Sequence, residues 1–272
     1  MLIHANPGRA IKKETEAMKV CSLASGSSGN ALFVGQGDTR FLIDCGIIPG
    51  QVERGLREIG ERVQDLQGVI ISHEHTDHIR GARALARKLY LTLYMNLATY
   101  QAVPGLLGNE EVVLFGDQPF AIGLLNIEPF PVPHDAAGPV GFSVTTDSHK
   151  MFIATDLGWV GPDVMARMKG SHLVALEANY DRDMLENGPY PTELKRRILG
   201  QTGHLSNDDA AGSLVQAVDG SPQKVLLAHL SRQNNDPILA RETVQGRMEG
   251  AGFGGVEIMV APRYEVSEPF EF

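Results

Sequence analysis

The stretch ISHEHTDHIRGA, residues 71–82, places four potential metal ligands within six positions. They are His73, His75, Asp77 and His78. The β-branched, apolar run just before them predicts a strand, and the apolar residues after them recur at helical spacing up to Leu89. A segment that carries imidazoles and a carboxylate between a strand and a helix is typical of a metal site.

The spacing within this stretch is suited to metal binding. His73 and His75 are two residues apart, so their side chains point the same way in an extended segment. Asp77 and His78 then fall in the first turn of the following helix. Imidazole and carboxylate ligands suit Zn, Mn or Fe(II), and this number of groups can serve two ions. The alternative is a polar loop in which Asp77 only caps a helix.

Other histidines and aspartates also lie next to probable strand ends, where rigid strands present functional groups to loops. Asp44 follows FLI, His134 follows IEPFPVP, Asp156 follows MFIAT and His229 follows KVLLA, whereas His204 precedes a predicted helix. We interpret the three remaining histidines as surface or packing residues: His4, His149 and His172.

Composition limits the class of protein. The net charge of −9, from 24 basic and 33 acidic residues, argues against a broad surface that coats nucleic acid. No apolar run of membrane-spanning length occurs, and the first residues lack the apolar core of a signal peptide. Cys21 and Cys45 form no disulfide framework, so we expect buried thiols and a cytoplasmic protein.

The order of predicted elements indicates one layered α/β domain. Strands dominate the first half, and helices alternate with strands after Asp156. We predict helices over 49–59 and 79–89, and later near 161–169, 181–187, 191–199, 206–218 and 237–250. The polar, aperiodic residues 1–17 predict a disordered extension, or a natural start at Met18, which leaves residues 18–272 as the domain.

Asp44 precedes the pattern HxHxDH, and His134, Asp156 and His229 follow it in that order. This series of residues resembles the metallo-β-lactamase superfamily. The phrases CSLASGSSGNALFV, LEANYDRDMLENGPYP, GHLSNDDAA and HLSRQNNDP are similar to the YycJ family, also called WalJ or VicX. This resemblance implies a four-layer αββα sandwich with metals at one edge between two sheets. It also implies a 5′-to-3′ DNA exonuclease linked to DNA repair.

The resemblance further implies two divalent ions, Zn, Mn or Fe, and a set of site residues. The ligands would be His73, His75 and His134 for the first ion, Asp77, His78 and His229 for the second, and Asp156 between them. Asp44 would orient an imidazole. Asp77 and His204 are the candidate catalytic residues, in a hydrolysis carried out by a hydroxide bridging the metals.

The sequence also contains candidate substrate contacts. Ser27, Ser28 and Asn30 lie in a small-residue loop that either approaches a phosphate or is a plain turn. Arg232 lies three residues after His229 and is a candidate phosphate contact. The basic run LKRRI, residues 194–198, is interpreted as a solvated helix face.

Three alternatives remain open. The first is an RNA or small-molecule phosphodiesterase with the same machinery. The second is a thioester, lactone or β-lactam hydrolase, against which HDAAGPVGF lacks the expected second histidine and both cysteines precede the metal motif. The third is a metal-binding regulator without turnover, which would be expected to have lost some ligands.

Overall fold

The computed structural model describes residues 17–104, 111–217 and 224–272. The predicted N-terminal extension lies outside these residues except for Ala17. The strands are, in chain order, Met18–Ala24 (β1), Ala31–Gln36 (β2), Thr39–Ile43 (β3), Gly68–Ile70 (β4), Thr92–Asn96 (β5), Val112–Phe115 (β6), Phe120–Ile122 (β7), Leu125–Pro131 (β8), Val140–Thr145 (β9), Lys150–Ala154 (β10), Leu173–Glu177 (β11), Lys224–Ala228 (β12), Glu257–Val260 (β13) and Phe270–Glu271 (β14).

The helices are Pro49–Glu58 (α1), Thr76–Ile79 (α2), Ala82–Leu89 (α3), Leu97–Ala102 (α4), Pro162–Met168 (α5), Arg182–Asn187 (α6), Thr192–Ile198 (α7), Asn207–Ala217 (α8) and Pro237–Gly250 (α9), with a 3₁₀ turn at Val63–Asp65. Pro begins α1, α5 and α9, where its missing N–H costs nothing. None of these helices has the length and apolarity needed to cross a membrane.

The described strands form two seven-stranded mixed sheets. The first has the order β14-β1-β2-β3-β4-β5-β6, and the second has the order β13-β12-β11-β10-β9-β8-β7. In the first sheet β3 to β6 are parallel, and in the second β10 to β13 are parallel. The remaining pairs are antiparallel.

Alternation along the strands divides the core into three layers of side chains. In β11, Leu173 and Ala175 face the other sheet, where they join a cluster that includes Phe41 and Phe142. The intervening residues of β11 face outward and join a cluster with α5, α8 and α9. The outer face of the first sheet packs on α1 and α3 through a third cluster. The predicted four-layer αββα sandwich is therefore confirmed.

The helix predicted over 79–89 begins at Ala82 instead (α3), and Asp77 and His78, predicted in its first turn, lie in a separate short helix, α2. Gly81 separates the two helices, and a Cβ atom on Gly81 would lie 1.8 Å from the carbonyl oxygen of Ile47. The backbone is therefore packed too closely there for any side chain. Three elements were not predicted: the 3₁₀ turn at Val63–Asp65, the six-residue α4 and the two-residue β14.

The carboxyl ends of the parallel strands of both sheets meet at one edge of the sandwich. Ligands of open parallel sheets collect at such an edge. The first sheet delivers the segment after β3 and the HEHTDH segment after β4. The second delivers the residues after β8, β10 and β12, together with the last residue of β11.

Candidate metal centre

Three residues at this edge have left-handed backbone conformations, with φ of 60° at Asp44, 59° at Asp156 and 56° at His229. Each follows its strand at a position where simple alternation would direct the side chain toward the outer helices. The turn of the backbone instead brings each side chain to the edge between the sheets. Such conformations cost about 1–3 kcal/mol in a non-glycine residue and concentrate at functional sites.

The first group of potential ligands consists of His73, His75 and His134, whose ligand atoms lie within 4.8 Å of one another. His75 Nδ1 is 3.3 Å from His134 Nε2. His73 Nε2 is buried and has no hydrogen-bond partner among the described residues. Burial, together with the neighbouring His78, holds the pKa of His73 well below its usual value, so this imidazole is neutral and able to bind a cation.

The second group consists of Asp77, His78 and His229. Asp77 Oδ2 lies 3.4 Å from His229 Nε2 and 3.7 Å from His78 Nε2. Asp156 lies between the two groups, with Oδ2 3.2 Å from His78 Nε2 and Oδ1 3.8 Å from His134 Nε2. The seven side chains predicted as ligands are thus brought together in one cluster.

Asp44 and Ser72 hold the base of this cluster. Asp44 Oδ2 accepts a 2.8 Å hydrogen bond from His78 Nδ1, and Asp44 also accepts bonds from the Ser72 amide and hydroxyl. Ser72 Oγ lies 3.0 Å from His73 Nδ1. These contacts leave the Nε2 atoms of both imidazoles directed into the site. Burial opposes a charge on His78, but the carboxylates of Asp44 and Asp156 raise its pKa well above the usual value.

The donor set fits divalent ions. Among the described residues, the buried His73 Nε2 has no hydrogen-bond partner, and the buried Asp156 Oδ2 has only the ring of His78 near it, although buried polar atoms are normally satisfied in a folded protein. A cation is the partner that suits a neutral imidazole nitrogen and a carboxylate oxygen equally. Three imidazoles in one group, and two imidazoles with carboxylates in the other, are ligand types suited to Zn, Mn or Fe.

Glu177, the last residue of β11, was not predicted as a site residue. It is fully buried, and its Oε1 accepts hydrogen bonds from His229 Nδ1 at 2.7 Å and His204 Nδ1 at 2.9 Å. Its Oε2 accepts from the amides of Leu157 and Leu205. Burial alone would raise the pKa of Glu177, but the neighbouring His204 and His229 lower it to about 2.

A sequence signal for Glu177 was available. It shares the strand face of Leu173 and Ala175, which look toward the other sheet, so a carboxylate at this position points into the edge where the histidines meet.

His204 joins the cluster on the side of Glu177. Its ring lies 5.2 Å from that of His134 and 5.3 Å from that of His229. Burial lowers the pKa of His204, but the Glu177 carboxylate outweighs burial and raises it. His204 therefore keeps its proton to a higher pH than an unperturbed imidazole, with Nδ1 bound to Glu177.

The predicted substrate contacts lie at different depths. Asn30 is buried, with Nδ2 3.1 Å from His78 Nε2, so it belongs to the wall of the cluster. Ser28 Oγ is buried and has no partner in the part of the chain that the structure describes, whereas Ser27 and Arg232 are exposed. Within the run LKRRI, Arg197 Nε donates to Asp135 at 2.5 Å, and Asp135 is the neighbour of His134 in the chain. This arginine is therefore close to the site, whereas the run was interpreted as a solvated helix face.

Two histidines interpreted as packing residues lie apart from the cluster. His149 and His172 contact each other and Phe272. His4 lies outside the described residues.

The fold and this cluster define a metallo-hydrolase of the αββα type, and comparison with known proteins agrees. Residues 39–230 match the model of the beta-lactamase superfamily domain. The metallo-beta-lactamase fold protein YhfI from Bacillus subtilis has a similar solved structure, with a TM-score of 0.72 and 19% identity, over 94% of this chain and 100% of that one.

Two curated relatives are more similar in sequence. Exodeoxyribonuclease YycJ from Bacillus anthracis is 37% identical over 237 residues, which cover 85% of this chain and 89% of that protein. Exodeoxyribonuclease WalJ from Streptococcus pneumoniae is 34% identical over 249 residues, which cover 89% of this chain and 93% of that protein. The chain belongs to the YycJ/WalJ family of the beta-lactamase superfamily, and it is a metal-dependent hydrolase.

Proposed function

We propose that the chain is a dinuclear metal-dependent exodeoxyribonuclease that degrades DNA from the 5′ end. The observation that carries the proposal is the position of Asp156 between two groups of imidazoles, which is the arrangement needed to bridge two ions. The names of the two curated relatives support DNA as the substrate.

In this proposal His73, His75 and His134 would hold one ion and Asp77, His78 and His229 the other, with Asp156 available to either. Two divalent ions, when bound, supply Lewis acidity for the phosphoryl oxygens and lower the pKa of a water molecule that attacks phosphorus. Zn, Mn and Fe all suit the donor set.

His204 is proposed to protonate the leaving 3′ oxygen of the nucleotide being released. Its raised pKa favours the protonated ring that an acid needs, and its Nδ1 is fixed by the buried Glu177. A general acid of this kind contributes about 10²–10⁴-fold to a rate. Glu177 acts through His204 and His229 and is a positioning residue.

The cytoplasm is the proposed compartment. Cys21 and Cys45 are both buried free thiols, a state that is typical of proteins kept in a reducing environment.

The proposal is tested with end-labelled DNA duplex, single-stranded DNA and RNA, each incubated with manganese-loaded protein and resolved on a gel. We expect stepwise shortening of DNA, abolished by chelator and reduced at least about 100-fold in Asp156→Ala. His149→Ala is the matched control, because His149 lies outside the cluster. Intact DNA in every lane would refute the nuclease, and shortening of RNA alone would move the substrate to RNA.

A further inference from the structure

Two arginines flank Leu230, the residue that follows His229: Arg232 lies two residues further along the chain, and Arg263 donates to the Leu230 carbonyl. Arg263 is half-buried and Arg232 is exposed, and among the described residues no acidic side chain lies within ion-pair distance of either. Burial lowers the pKa of Arg263, and the charge of Arg232 contributes in the same direction. A half-buried guanidinium near another cation is unfavourable unless an anion joins them.

The surrounding backbone fixes Arg263 next to two loops of the metal centre. Its Nη2 donates to the carbonyl of Leu230 at 2.5 Å, directly after His229. A Cβ atom on Gly26 would lie 2.7 Å from Arg263 Nη1, so the Ser25–Asn30 loop passes against the guanidinium. Only glycine allows this approach at Gly26, whose φ is also positive, at 121°.

The same loop is anchored to the metal centre at both ends. Ser25 Oγ accepts from the amide of His229 at 2.8 Å, and Asn30 Nδ2 contacts His78. On its outer side the carbonyl of Ser28 accepts from exposed Arg80 at 2.5 Å. Ser28 Oγ is buried and has no partner among the described residues. The loop is therefore flanked by cations and retains an unused hydroxyl.

Burial lowers the pKa of the Arg263 guanidinium, and the nearby Arg232 acts in the same direction, against the effect of the Tyr264 hydroxyl. The local positive charge contrasts with the net charge of −9 for the chain. A small basic patch next to a metal centre concentrates a polyanion there without a broadly basic surface.

We propose that Arg232 and Arg263, against the Ser25–Asn30 loop, form an anion site for a substrate phosphate group other than the one being cleaved. This inference rests on the proposed nuclease function and deepens it. Guanidinium groups bind phosphate oxygens in a two-pronged arrangement, and Arg263 has donors beyond the one used by Leu230. The phosphate belongs either to the internal backbone or to the end of the strand.

Kinetics on metal-loaded full-length protein test the site with two oligonucleotides of one sequence, with and without a terminal phosphate. Arg232→Gln, Arg263→Lys and Arg263→Gln are compared with Arg241→Gln, an exposed arginine on α9. We expect the site variants to raise KM about tenfold. The slope of log(kcat/KM) against the logarithm of salt concentration should become shallower by about 0.7–0.9. Bis(p-nitrophenyl) phosphate, which has a single phosphate, should be affected much less.

The substrate pair distinguishes the two sources of phosphate. Loss confined to the phosphorylated strand assigns the site to a terminal phosphate, and equal loss on both assigns it to the internal backbone. Site variants that behave like Arg241→Gln on both strands would overturn the proposal. Arg232→Gln keeps the test valid if Arg263 variants fail to fold, because Arg232 is exposed.

A second measurement separates this proposal from the nuclease itself. Inorganic phosphate is titrated into chelator-treated protein, and its effect on the thermal midpoint is compared between wild type and Arg232→Gln. We expect stabilisation that is weakened several-fold in the variant. If DNA remains intact but this difference persists, the nuclease proposal fails and the anion site stands. Equal stabilisation would contradict the anion site.

Discussion

Four histidines of the centre, His73, His78, His204 and His229, each have one ring nitrogen held by a neighbouring side chain. Asp44 holds His78, Ser72 lies against His73, and Glu177 holds both His204 and His229. These partners fix the ring orientation before any ion arrives, which lowers the entropic cost of binding. Partners of this kind typically change metal affinity or activity by 10–100-fold when removed.

Replacing Glu177 with glutamine should show its positioning role. We expect kcat on DNA to fall by about 100-fold, because His204 loses the carboxylate that raises its pKa. An acid with a lower pKa loses its proton at lower pH, so the alkaline limb of the pH–rate profile should move to lower pH. The profile of kcat against pH is the measurement. A lower rate with an unmoved alkaline limb would show that Glu177 acts on structure alone.

Metal binding should release protons at neutral pH. In the metal-free protein the carboxylates outweigh burial and raise the pKa of His78 well above its usual value and that of His229 to about 10, so both rings are protonated at pH 7. Binding through Nε2 must displace these protons, about two per chain, and affinity should fall as the pH is lowered.

Calorimetric titration of metal in buffers of different ionisation enthalpy measures this release. His229→Ala should release fewer protons than wild type. A binding enthalpy that does not depend on the buffer would contradict the predicted protonation states.

At the scale of elements, the site depends on close contacts between the segments that carry the ligands. Gly46 follows β3 and packs against α2, where a Cβ atom would lie 1.6 Å from the Asp77 carbonyl oxygen. The Gly46 amide donates to the Asn30 carbonyl, and the Asn30 amide donates to the Asp77 carbonyl, both at 2.8 Å. Three segments of the centre therefore meet at one glycine.

Gly46→Ala should destabilise the protein by about 2–4 kcal/mol and weaken metal binding, because Asp77 must move. Gly50→Ala is the matched control, because Gly50 lies in α1 and a Cβ atom there would have open space around it. Alanine in a helix should leave stability equal or higher by about 0.5–1 kcal/mol. Urea unfolding and metal content measure both effects. Equal behaviour of the two variants would contradict the packing argument.

The elements and the HEHTDH cluster could be predicted from sequence because their signals are local. Hydrophobic periodicity gave the long strands and helices, and one hexapeptide held four of the seven predicted ligands. Glu177 was missed because its partners lie 27 and 52 residues away. Arg263 was missed for the same reason, since it meets Gly26 and Leu230 only in the fold. The short α4 and β14 depend on tertiary packing that periodicity does not describe.

At the scale of the molecule, the centre joins the two sheets. The first sheet supplies Asp44 and the segment from His73 to His78, and the second supplies His134, Asp156, Glu177 and His229. Each of the two ligand groups contains residues from both sheets, so neither sheet alone supplies a complete group. Metal binding and packing of the sheets are therefore coupled, because ions that bind only the folded state stabilise it.

Chelation should lower the thermal midpoint. An ion present at about 100 times its Kd contributes about 2.7 kcal/mol to stability, equivalent to about 5–10 °C for a chain of this size. Thermal unfolding with and without chelator measures the shift. His149→Ala should retain the shift and Asp156→Ala should lose most of it. An unchanged midpoint in wild type would show that the cluster does not bind ions in the folded state.

The most direct test of the two-ion centre is metal content, measured by mass spectrometry on protein stripped with chelator, reloaded with manganese or zinc and freed of excess ion. The account predicts about two ions per chain in wild type and in His149→Ala, and about one in His134→Ala, which removes a ligand of the first group only. A wild-type ratio near zero, or two ions retained in His134→Ala, would contradict it.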